Sequence, residues 1–145
     1  MGMAYADREL LERIERYLDF VRRYVRVDRA LLYGSYAYGT PHFRSDIDLV
    51  VLSPEFAQMD RRRRQEQLAI WAWQAGVGEI EALGLTPEEF QEASPLSLLG
   101  EVREKGIVVY DARHPERSPA LALREGRVAY REQEADDADG AGTDP

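Results

Sequence analysis

Nothing constrains this chain more than the stretch from Ala30 to Leu52. A short apolar run, Ala30-Leu31-Leu32-Tyr33, stops at Gly34-Ser35. Ten residues later comes Asp46-Ile47-Asp48, and a second apolar run, Leu49-Val50-Val51-Leu52, follows at once. Each apolar run reads as a buried strand. Residues two apart on a strand project from the same face, so Asp46 and Asp48 are expected side by side. Two adjacent carboxylates repel each other, and burying both is costly unless a charge neutralises them. Hard oxygen ligands suit Mg²⁺ or Mn²⁺. A glycine at the end of the preceding strand lets backbone approach an anion, and Ser35 with the amides after it can bond phosphate oxygens. One hairpin-like unit thus offers a phosphate cradle and a metal-binding pair, a combination that serves phosphoryl or nucleotidyl transfer.

A pair of metal ions ~3.5–4 Å apart needs a ligand from another strand. Glu81 is the candidate, inside the strand-like run Glu79-Ile80-Glu81-Ala82-Leu83. Its carboxylate can also take a proton from an attacking hydroxyl. Glu79 shares its face and stays an alternative.

Around this unit, Leu10, Leu11, Ile14, Leu18, Val21 and Val25 recur at helical spacing, predicting a helix over 7–25. Asp60 caps a second helix to about Gln74, stopped by Gly76 and Gly78. Thr86-Pro87-Glu88-Glu89 and Ser94-Pro95 each start a helix, the latter running to about Lys105. Ile107 to Tyr110 closes as a strand. The order implies an α/β (α+β) fold, a small mixed sheet flanked by helices. Residues 1–112 read as one domain and 113–145 as an extension: a weak helix over 120–130, then an acidic, solvated tail over 132–145 with six acids and no base.

The bases Arg61 to Arg64 read as a solvated helix start opposing the helix dipole. Trp71 and Trp73 stand two positions apart, about 200° around a helix, so one is core and the other surface. His42 and His114 read as loop residues. A net charge of −8 argues against nucleic acid or an anionic membrane as partner. Cysteine is absent, so disulfides and thiolate chemistry are excluded. No apolar run approaches ~20 residues, and a cytoplasmic location is expected.

Gly34-Ser35, ten residues, then Asp46-x-Asp48 resembles the signature of the DNA polymerase β-like nucleotidyltransferases. In particular it resembles the minimal nucleotidyltransferases (MNT) of the antitoxin type, over roughly Leu10 to Tyr110. The resemblance implies a polymerase β-like fold, Mg²⁺ dependence with two ions, and ATP or another NTP as donor. It implies that Gly34 and Ser35 hold the triphosphate, with Arg44 and Ser45 beside them. Asp46 and Asp48 ligate metal, and Glu81 fills the third acidic place. Two departures stand out: Tyr38 where the family often has arginine, with Arg44 as the compensating cation, and a glutamate where the third acid is often aspartate. Such proteins pair with a helical HEPN toxin and transfer AMP to one of its tyrosines, which is the specific role expected. The other expectations are a docking module whose acids are residual, and a homodimeric small-molecule nucleotidyltransferase.

Overall fold

A computed structural model describes residues 5–34, 37 and 46–115. The first helix, α1, is Tyr5–Val21. Its stripe of Leu10, Ile14, Tyr17, Leu18 and Val21 is buried. The apolar period runs on to Val25, but the chain leaves the helix after Val21. Turn-type bonds carry the chain on to Val25, whose amide donates to the Val21 carbonyl at 3.0 Å.

Four strands form the sheet: β1 (Arg29–Tyr33), β2 (Ile47–Leu52), β3 (Ile80–Leu85) and β4 (Ile107–Asp111), in the order β3-β2-β1-β4. β1 pairs antiparallel with β2 and with β4, while β2 and β3 run parallel. The parallel pair requires a crossover. A short 3-10 helix, Pro54–Gln58, and α2 (Arg61–Gln74) supply it. α3 (Pro87–Glu92) and α4 (Leu98–Lys105) lie between β3 and β4.

Alternation along the strands makes two apolar cores. One takes Ala30, Leu32, Leu49, Val51, Ile80 and Ala82 against α1 and α2. The other takes Leu31, Val50, Leu52 and Leu85 against Phe90 of α3 and Val102 of α4. Both faces of β2 are covered, which explains its almost unbroken apolar sequence. This mixed sheet with flanking helices is the expected α+β, polymerase β-like architecture.

Local signals set most boundaries. Asp60 caps α2 by accepting from the Arg63 amide at 2.8 Å. Thr86 and Glu89 form a reciprocal capping box on α3. α4 starts three residues later than Ser94-Pro95 suggests, because Ser97 is its cap. Ser94 instead shapes the turn before it, its hydroxyl accepting from the Leu96 amide at 3.1 Å.

The run of four arginines is not uniformly solvated. Arg61, Arg62 and Arg63 are exposed, but Arg64 is 4% exposed. Its guanidinium donates to the carbonyls of Phe56 and Met59 at 2.9 Å and of Gly84 at 3.2 Å. It also meets Glu89 with two bonds of 2.7 and 3.2 Å. Arg64 therefore ties the crossover, an edge strand and α3 together. Trp71 is buried and Trp73 is 77% exposed, as their angular separation requires. No helix among the described residues is long and apolar enough to cross a membrane.

Candidate active site

The antiparallel β1–β2 register places Tyr33 opposite Asp48. The parallel register places Asp48 beside Glu81. Asp46 sits one residue before β2 and is exposed. Asp48 and Glu81 thus extend the rows that bury Val50 and Leu85 farther along, on the same sheet face as α3 and α4. This face is thus apolar at Val50 and Leu85 and acidic at Asp48 and Glu81.

Electrostatics show how close the acids are. Burial, then the charge of Asp46, raises the pKa of Asp48 above the ordinary aspartate range. The charge of Asp46 is also the leading cause of a raised pKa at Glu81; burial, a hydrogen bond with Asp46 and the charge of Asp48 add to it. Asp48 and Glu81 thus resist ionisation, Asp48 first through burial and Glu81 first through the negative charge of Asp46.

Glu79 and Glu81 part company. Arg13 of α1 holds the Glu79 carboxylate at 3.0 Å, while the Glu79 carbonyl accepts from the Ile47 amide at 3.1 Å. Glu79 thus joins the start of β2 to α1, and Glu81 faces the aspartates.

Gly34 has φ +77, and a β-carbon placed there would lie 2.3 Å from Asp48 Oδ2. The chain's own Asp48 carboxylate lies against this glycine, a contact that the sequence alone does not reveal. The loop between the strands hides their register, and only the register reveals this contact. Ala37 continues the turn, its amide bonded to the Gly34 carbonyl at 3.1 Å. Ser35, Arg44 and Ser45, together with Tyr38 and His42, lie outside the described residues, as do the expected helix over 120–130 and the tail over 132–145.

Among the described residues, no three His, Cys, Asp or Glu side chains are arranged so as to hold a metal ion. In chemistry alone Asp46, Asp48 and Glu81 suit a hard cation: they offer carboxylate oxygens, and the repulsion among them is what a divalent ion would relieve.

Residues 14–105 match the nucleotidyltransferase domain family. No curated protein sequence matches the chain. Among solved structures, the fold is similar to a putative nucleotidyltransferase from Sulfolobus solfataricus, with TM-score 0.58 and 15% identity over 79% of this chain and 96% of that one. It is also similar to a toxin-antitoxin crystallised with AMP-PNP, with TM-score 0.51 and 21% identity over 86% of this chain and 91% of that one. At these identities the two likenesses speak for the fold. The family match spans well over half of the chain and includes Gly34, Asp46, Asp48 and Glu81, and this protein belongs to the nucleotidyltransferase domain family.

Proposed function

We propose that this protein transfers a nucleoside monophosphate, AMP from ATP, to a hydroxyl acceptor. The observation that carries the reading is the convergence of Asp46, Asp48 and Glu81 at one end of β2 and β3, with Asp48 packed against the Gly34 turn. Asp46, Asp48 and Glu81 would hold Mg²⁺, which when bound supplies charge neutralisation for the triphosphate. Gly34 and Ser35 would seat the β- and γ-phosphates, with Arg44 and Ser45 next to them. The acceptor oxygen bonds to the α-phosphorus as the bond to the pyrophosphate oxygen breaks, and Glu81 takes the hydroxyl proton.

The toxin-antitoxin relative crystallised with AMP-PNP supports ATP as donor and a toxin as partner. A tyrosine of a helical HEPN protein is the acceptor we favour, which would make this chain the antitoxin. The test is incubation with α-labelled ATP, Mg²⁺ and the protein encoded beside it. Label on a partner tyrosine, lost with Asp48→Asn, supports the reading. Complex formation without any label, unaffected by Asp46→Ala and Asp48→Ala, refutes it in favour of a docking module.

A further inference from the structure

Lysine occurs once in this chain, at Lys105; the other eighteen basic side chains, His apart, are arginines. Lys105 is the last residue of α4. It is exposed, and no ion pair holds it among the described residues. Arg103, in the same last turn, is committed elsewhere, donating to the Phe90 carbonyl at 2.6 Å.

The topology puts Lys105 at the acidic end of the molecule. β4 begins two residues later, and Ile107 pairs with Leu32. A β-carbon at Gly106 would lie 3.4 Å from the Leu32 carbonyl oxygen. Leu32 is followed by Tyr33, opposite Asp48, and then by Gly34, which touches the Asp48 carboxylate. α4 packs through Val102 on the core that holds Leu31 and Val50. Asp48 lies two residues from Val50, on that same face. Lys105 and the acids thus share one face and one end of the sheet. β4 and β2 are separated by two strand spacings, roughly 10 Å, with the Gly34 turn at the end of the strand between them.

We infer that Lys105 is the cationic contact for the outer phosphates of the nucleotide. This rests on the reading of the acids given above. A triphosphate seated on the Gly34 turn would have the acids and their cations on the β2 side and Lys105 on the β4 side. An ammonium on a flexible four-carbon stem suits that place as a point charge.

The lone lysine makes the test direct. An acyl-phosphate derivative of ATP transfers its acyl group to a nearby amine. The acyl carbon bonds to Lys105 Nζ, the carbon–oxygen bond to the terminal phosphate breaks, and ATP leaves. With the full chain and Mg²⁺, mass mapping should find the label on Lys105. Excess ATP should protect it and AMP should not. In parallel, Lys105→Gln should weaken ATP binding about tenfold while AMP affinity moves less than about twofold, with Lys105→Arg restoring most of the loss. Label confined to the chain's amino terminus, or labelling of Lys105 that ATP does not block, overturns the inference. So does a Lys105→Gln variant that melts earlier but binds ATP normally, which would mark Lys105 as a helix-end charge only. If wild type binds ATP and Asp48→Asn abolishes binding, such results remove Lys105 alone. If wild type does not bind ATP, both readings fall.

Discussion

Gly34→Ala is the most informative single change, because its cost divides into two parts with different origins. The first is backbone strain. Gly34 sits at φ +77, and a residue with a β-carbon there loses roughly 1–2 kcal/mol. The second is collision. The new methyl would meet Asp48 Oδ2 at 2.3 Å and Cγ at 3.2 Å, so the carboxylate must turn off its rotamer at about 0.5–1.5 kcal/mol. A total near 2–3 kcal/mol is expected, less a few tenths because alanine also stiffens the unfolded chain. Asp48→Ala removes the colliding atoms and leaves only Cβ, at 3.4 Å, an ordinary contact. In that background Gly34→Ala should lose only the strain part. Urea unfolding of wild type, both single variants and the double variant closes the cycle. The expected coupling is about 1 kcal/mol, above the roughly 0.3–0.5 kcal/mol within which independent changes add. Strict additivity would mean that Asp48 does not press on this glycine. The measurement needs neither nucleotide nor metal, so it probes the chain's own geometry.

Arg64→Leu should be severe, since it strips donors from the carbonyls of Phe56, Met59 and Gly84 and takes from Glu89 its buried cation; a loss of roughly 3–5 kcal/mol in urea unfolding is expected, and a loss below 1 kcal/mol would contradict the buried network. The hydrogen bond from Arg64 holds the pKa of Glu89 below the usual glutamate range; a lowered folded-state pKa gives stability that is complete above the unfolded value, near 4.3, and fades as pH falls through the folded one. Glu89→Gln should therefore flatten the acid limb of the stability–pH curve, and an unchanged limb would reject the pairing. Trp71→Ala should cost about 3–5 kcal/mol against less than about 0.5 kcal/mol for Trp73→Ala, given their burial and exposure; thermal melts that rank them the other way would invert α2. Asp48→Asn should remove Mg²⁺-dependent ATP binding, followed by calorimetry, while leaving thermal stability equal or higher, because a neutral side chain escapes the penalty of burial and of the like charge of Asp46; retained binding would count against the acids as the site.

Much of the architecture was legible residue by residue. Asp60 before the arginines, Thr86-Pro87 and the glycine after Lys105 marked helix ends, because capping is local chemistry between neighbours. Arg64 shows where local reading stops. On the chain it is one of four like residues, and only the fold brings Phe56, Gly84 and Glu89 around it. Position on the helix singles it out, since one side of α2 faces the sheet edge while its three predecessors face water. Glu79 and Glu81 were equivalent for the same reason: strand alternation gives them one face, and Arg13 on a distant helix separates their surroundings.

The sequence by itself determined the kind of chemistry and the pieces for it: a glycine-ended strand, a pair of alternating aspartates, a further acid on a third strand, and helices with clear starts. Those are properties of spacing along one chain, and spacing survives without a fold. Only the tertiary structure decided which atoms meet. Strand register set Tyr33 against Asp48 and Asp48 against Glu81, pressed that carboxylate onto Gly34, and brought the end of α4 with Lys105 to the same end of the sheet. Register depends on how two apolar faces share one sheet, and no local run of residues contains that information.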